Sequence, residues 1–177
     1  FSPEAALSGV GRQLKPDEFL WYKRSLPEEI RPETGSRWLL HFGAVDQCAV
    51  VYVNGKKAGA HQCGYTAFTI DISTLLHYGE DNVIAVRVDS NENLNVPPFG
   101  FVIDYMTYGG IYRDVYLEIN EENYLADVFL KPQVELETKR GTLLSEITLA
   151  GNEENLLLRQ YIRRKGEEEY GLIGEGP

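Results

Sequence analysis

Of the residues in this sequence that could do chemistry, one carboxylate is out of keeping with its surroundings. In FGFVIDYMTYGGIYRDVYL, residues 99 to 117, Asp104 stands between an apolar loop and a strand. An ionised aspartate offers only acceptor sites, and a charge-assisted hydrogen bond to it is worth about 1.5 to 3 kcal/mol. Three roles are open on local grounds: a turn residue, a partner for Arg113, or an acceptor aimed at something outside this chain. Other chemistry is thinly represented. His41, His61 and His77 are scattered singly and read as strand or loop residues. Cys48 and Cys63 are too few for a disulfide scaffold and lack metal-ligand spacing. The chain has no G-x-S-x-G elbow, no phosphate-binding loop and no H-E-x-x-H.

The composition, 43% hydrophobic and 25% charged over 177 residues, is that of a globular chain with one sizeable core or somewhat more. With 17 Lys and Arg against 27 Asp and Glu, the net charge of -10 argues against a nucleic-acid partner, which needs a basic footprint. No run of 18 apolar residues is present to span a membrane. The opening FSPEAALSGVG has neither the basic nor the apolar region of a signal peptide, and the lack of an initiating Met implies a longer protein.

The elements that must position Asp104 are strands. WYKRSLP begins one, and RWLLHFGAV alternates Trp38, Leu40 and Phe42 against Leu39, His41 and Gly43. QCAVVYVNGKKAGAHQ reads as a hairpin around Asn54-Gly55, a pair that takes positive φ cheaply. With a two-residue turn, Cys48 faces His61 and Cys63 faces Asp46, so the sulfurs sit on diagonal positions about 7 to 8 Å apart. Free thiols follow, in keeping with a reducing, cytoplasmic compartment. GYTAFTIDISTLL puts Phe68, Ile70 and Ile72 on one face before a short turn that Asp71 or Ser73 caps, and NVIAVRVDS adds another strand. The loop SNENLNVPPFGF excludes regular structure, and GGIYRDVYLEI reads as one strand alternating Ile111, Arg113, Val115, Leu117 and Ile119 against Tyr112, Asp114, Tyr116 and Glu118. In that alternation Arg113 is a buried, paired arginine bracing the loop.

Short strands with turns between them and no amphipathic helix predict an all-β fold: a jelly-roll β-sandwich over residues 1–120. Residues 121–177 are more charged, with strands suggested at DVFLKPQVEL, LLSEITL and NLLLRQYIRR and a weaker one at EEEYGLI. An immunoglobulin-like sandwich needs about 100 residues, so this stretch predicts a partial one. Its open sheet edges invite self-association, which makes a homo-oligomer an expectation.

The stretches WYKRSLP, LLHFGAVDQCAVVYVNGKKAGAHQCGYTAFTIDIS, GEDNVIAVRVD and YGGIYRDVYLEI, in this order, resemble the N-terminal sugar-binding jelly roll of family 2 glycoside hydrolases, the β-galactosidase, β-glucuronidase and β-mannosidase group. The resemblance implies that FSPEAALSGVGRQL follows first strands that are missing, and that a (β/α)8 barrel belongs after the immunoglobulin-like domain. Retaining hydrolysis needs two carboxyl groups about 5 to 5.5 Å apart, and the family carries both on that barrel. The Asn-Glu pairs at Asn91-Glu92, Asn120-Glu121 and Asn152-Glu153 lie in charged turns and read as solvated, so this stretch alone is expected to be inert.

In the resembled family, an Asp six residues before the Gly of a G-I-[FYH]-R motif projects into the barrel's active site. Asp104 stands six before Gly110, with Ile111, Tyr112 and Arg113 completing the motif. The resemblance implies that Asp104 contacts a hydroxyl of the terminal sugar, with Gly110 and Arg113 as structural support. Asn95, beside Asn91 and Asn93, is a further candidate contact. So is Tyr105, which with Phe99 and Tyr108 could instead pack against the barrel. Tyr65 and Phe68 read as core or interdomain residues. No cofactor is expected on this stretch; the resemblance leaves room for a monovalent or divalent cation in the longer enzyme. The expected partners are a carbohydrate substrate and the barrel, with β-galactosidase ahead of β-glucuronidase as the activity. A stand-alone carbohydrate-binding module is the rival expectation.

Overall fold

The computed structural model describes residues 19–27, 29–30, 32–33, 35–91, 93–96, 109–151 and 156–176. The chain divides into two compact units, Phe1–Glu121 and Glu122–Pro177. Strands β1 (Leu20–Ser25), β2 (Arg37–Phe42), β3 (Val45–Asp46), β4 (Cys48–Val53), β5 (Lys56–Gln62), β6 (Phe68–Asp71), β7 (Val83–Asp89), β8 (Gly110–Ile111) and β9 (Val115–Asn120) build the first. They pair antiparallel into a four-stranded sheet ordered β1-β7-β4-β5, a three-stranded sheet ordered β6-β2-β9, and a short β3-β8 ladder. The architecture is an all-β sandwich, as the alternation predicts.

Period-2 patterning fixes which face is buried. Trp38, Leu40 and Phe42 of β2 alternate into the core against Ala49, Val51 and Val53 of β4 and Val86 and Val88 of β7. Each of the Val, Leu and Phe side chains removed from water contributes about 1.5 to 3 kcal/mol. Phe68 completes the layer, its ring stacked 4.7 Å from Phe42 and 4.3 Å from His61. After β6, a single 3-10 turn at Ser73–Leu75 is tied down by Asp71, whose Oδ1 accepts from Ser73 N at 2.9 Å and from Ser73 Oγ at 2.5 Å. That hydroxyl in turn accepts from Trp38 N at 2.8 Å, which fastens the turn to β2.

Two sequence expectations change. The Asn54-Gly55 turn forms, with φ of 51° and 79°, but the hairpin register slips by one residue between Val51 and Tyr52. Cys48 therefore faces Gln62, and His61 faces Ala49. The slack is taken up at Ala58-Gly59, where β5 crosses close to β6: a Cβ on Gly59 would lie 2.8 Å from Ile70 Cδ1. Both cysteines are free. The motif strand is also broken, into β8 and β9 with Tyr112–Asp114 between them.

The second unit consists of two hairpins. β10 (Tyr124–Glu135) pairs with β11 (Arg140–Ala150), and β12 (Leu158–Ile162) with β13 (Gly171–Gly176). Pro132 is tolerated within β10 because, among the described residues, this strand has a partner on one side alone. Ser145 Oγ donates to Gln160 Oε1 at 2.7 Å and links the two. Leu136 and Val134 remain 84% and 70% exposed.

Candidate functional site

The stretch from Asn91 to Gly109, which carries Asp104, leaves β7 and returns at β8. Its two ends meet on Asp46. Ser90 stands at the outgoing end, and its hydroxyl donates to Asp46 O while accepting from Gly110 N at 2.9 Å. Gly110 is also the ladder partner of Asp46. A second set of bonds fixes the neighbouring corner: Gln47 N donates to Asp89 O at 2.9 Å and Cys63 N to Gln47 O at 3.0 Å, while Tyr112 Oη donates to Gly64 O. The Asp46-Gln47 peptide is cis. Asp46 is thus the junction of β3, β8, the 63–64 corner and both ends of the stretch.

The Asp46 carboxyl is buried, and burial pushes its pKa up to about 6. Oδ1 lies over Gly64, where a Cβ would be 2.6 Å away, so this corner has room for glycine alone. Burial, then the charges of Asp89 and Asp46, push the Cys48 thiol up. Cys63, held at φ 135°, is moved the other way by hydrogen bonds from Tyr65 backbone and from Thr66.

Gly110 has φ 82° and is buried, with a would-be Cβ 2.3 Å from Tyr22 Oη. Ile111 N donates to the same hydroxyl at 3.4 Å. Arg113 is exposed, contrary to the buried, paired role expected of it: its guanidinium lies 5.7 Å over the Tyr112 ring. The physical reason is the break after Ile111. Gly43 N bonds Asp114 O at 2.9 Å, and a Cβ on Gly43 would come within 2.9 Å of Arg113 Cβ, so the chain bends around β2 there instead of alternating. Asn95 is exposed at the tip of a tight turn, its N donating to Asn93 Oδ1 at 2.9 Å. Asn91 N and Nδ2 both donate to Asp89 Oδ1, at 3.0 and 2.8 Å. Asp104, Tyr105, Phe99 and Tyr108 lie outside the described residues. Tyr65 is exposed, and each histidine has a sheet or turn neighbour: His41 with Thr69, His61 with Thr66, His77 with Glu80.

A family model described as "Glycosyl hydrolases family 2, sugar binding domain" matches residues 16–120. The chain belongs to this family. A beta-galactosidase of Thermoanaerobacter pseudethanolicus is 37% identical over 149 residues, covering 82% of this chain and 20% of that relative. A beta-glucuronidase of Bacteroides fragilis is 44% identical over 98 residues, 55% of this chain and 14% of the relative. Among solved structures, a beta-glucuronidase from an uncultured Clostridium species matches with a TM-score of 0.72 and 28% identity, over 94% of this chain and 28% of that one. The chain therefore spans about a fifth of the length of the first of these relatives.

The family 2 sugar-binding domain seen here has its match ending where the first unit ends, at β9. Within it, sequence reasoning passed over Asp46. A signal was present: Asp46 and Gln47 interrupt an apolar run, AVDQCAVVYV, that otherwise reads as a single buried strand. A polar pair at such a place has to find partners or be strained, and here it collects the ends of a loop.

Proposed function

We propose that this chain is the sugar-binding part of a retaining family 2 β-glycosidase, and that Asp104 contacts a hydroxyl of the terminal sugar. The observation that carries the reading is the spacing of Asp104 to Gly110-Ile111-Tyr112-Arg113, supported by the frame around it. Ser90, Asp46 and Gly110 bring the two ends of the stretch together. Asn95 and Tyr105 are secondary contacts in the same reading, and no cofactor is assigned to this chain itself. The two carboxyl groups of the reaction belong to a barrel elsewhere in the enzyme, which makes the present residues a contributor to specificity. A sugar lacking the matching hydroxyl would leave the carboxylate unpaired, the situation that gives strong discrimination.

For the substrate, a terminal β-galactoside comes ahead of a β-glucuronide, because the relative that is 37% identical over 149 residues is named a beta-galactosidase, whereas the beta-glucuronidase matching 95% of the chain is 26% identical. The names among relatives are of both kinds, so the test is made on the full-length enzyme with both aryl glycosides. Asp104→Ala should lower kcat/KM by roughly two orders of magnitude or more on the better substrate, with the sandwich still folded. Unchanged turnover in a folded variant refutes the role of Asp104. Turnover of neither glycoside refutes the activity.

A further inference from the structure

The four-stranded sheet buries one face and leaves the other open. On the open face Trp21 is 61% exposed and its ring lies 5.9 Å from that of Tyr52, tilted by 32°. The strand register surrounds this pair with cations: Arg87 lies opposite Trp21 on β7, Lys23 is two residues along β1, and Lys57 lies opposite Tyr52 on β5. Arg87 stacks on Phe19, 4.7 Å from its centroid, a contact that uses the guanidinium face and leaves its N–H edge for hydrogen bonding. None of the three cations pairs with a carboxylate among the described residues, although the chain as a whole carries a charge of -10. Among the strand residues of this face the one acid is Asp89, and it is engaged by Asn91.

We infer that this face binds an anionic saccharide, with Trp21 and Tyr52 stacking on a sugar ring and Lys23, Lys57 and Arg87 answering its carboxylates. Flat aromatic rings with a polar edge suit the amphipathic faces of a pyranose, which present C–H groups on one side and hydroxyls around the rim. The charge decides among occupants. Aromatic rings alone would take neutral and acidic glycans alike, whereas three cations with no carboxylate partner among the described residues favour a carboxylate-bearing one. The inference rests on the reading of this chain as a saccharide-binding unit, but it uses none of the residues assigned a role there, and its test needs no turnover.

The two tryptophans make the test direct. Trp38 is 2% exposed and Trp21 is 61% exposed, so quenching of intrinsic fluorescence by added sugar reports the open face. Trigalacturonic acid titrated into the 177-residue chain should quench saturably and bind about five-fold tighter than the neutral sugar, its fully methyl-esterified form, the scale expected of a few exposed ion pairs. Trp21→Ala should abolish binding measured by calorimetry, and the exposed double variant Lys23→Gln/Lys57→Gln, which keeps Arg87, should cut the preference to about two-fold or less with the circular dichroism unchanged. Absence of saturable binding, equal affinity for both sugars in the parent chain, or binding that survives Trp21→Ala overturns the inference. So does poly-glutamate binding as tightly as the acidic sugar, which would make the face a dock for acidic peptides, or a dimer in sedimentation whose formation protects Trp21.

Discussion

Gly110→Ala tests whether the frame around Asp46 is built as described. Two costs can be worked from the geometry. At φ 82° an alanine gives up roughly 1 to 2 kcal/mol relative to a glycine, because its Cβ crowds the following carbonyl. Its Cβ would also stand 2.3 Å from Tyr22 Oη and 3.4 Å from Leu20 Cδ1, so something must move. The tyrosine is the part able to yield, being 38% exposed, and pushing it off its rotamer costs about 0.5 to 1.5 kcal/mol. The sum is a loss of about 1.5 to 3.5 kcal/mol in urea unfolding followed by fluorescence. Combining Gly110→Ala with Tyr22→Ala in a double-mutant cycle separates the two parts: removal of the ring abolishes the clash and leaves the backbone cost, so a favourable coupling of about 1 kcal/mol is expected. A single-variant loss below about 0.5 kcal/mol would show that Gly110 is not strained, and zero coupling in the cycle would show that it is not pressed against Tyr22.

Asp46 makes stability pH-dependent. With its pKa raised from 3.8 to about 6, the folded state holds a proton that the unfolded state has released, so this contribution is full below about pH 4 and is lost as pH rises to 6. Two units correspond to about 3 kcal/mol at most, and residual contact with water brings this to about 1 to 3 kcal/mol. The difference in unfolding free energy between Asp46→Asn and the parent chain should therefore move in favour of the variant between pH 4 and 6; a difference flat across that window refutes the burial argument. The cysteines should react unequally: iodoacetamide at pH 8 should label Cys63 before Cys48, because hydrogen bonds lower the first thiol's pKa and burial raises the second's. Peptide mass spectrometry reads the order, and labelling of Cys48 first would contradict it.

The sandwich was legible in the sequence because its signals are local. Trp38, Leu40 and Phe42 alternate within one strand, and Asn54-Gly55 supplies positive φ within one turn. The hairpin register was not, because it depends on a strand from elsewhere in the chain. Ile70 lies so close to Gly59 that the backbone of β5 bulges at Ala58, opposite the Val51–Tyr52 step of β4, and every pairing beyond that point moves by one residue. The run of small residues AGA in β5 is the trace this leaves in the sequence. It marks a close approach without naming the neighbour.

The residues around the site divide along the same line. Gly110 could be singled out from its motif, and its need for glycine has two physical sources, a positive φ and the hydroxyl of Tyr22. Arg113 could not be placed correctly, since alternation assumes an unbroken strand, and here Gly43 draws in the Arg113–Asp114 backbone and turns the side chain to solvent. Asp46 shows why such a junction escapes pattern reading. What makes it one is the convergence of Ser90, Gly110 and the 63–64 corner, which lie 44, 64 and 17 to 18 positions away along the chain. A carboxyl brought into that crowd loses water before it gains any charge partner, so its protonation follows the integrity of the frame. The same residue that marks the meeting of the loop's two ends therefore also supplies the titration by which their meeting can be measured.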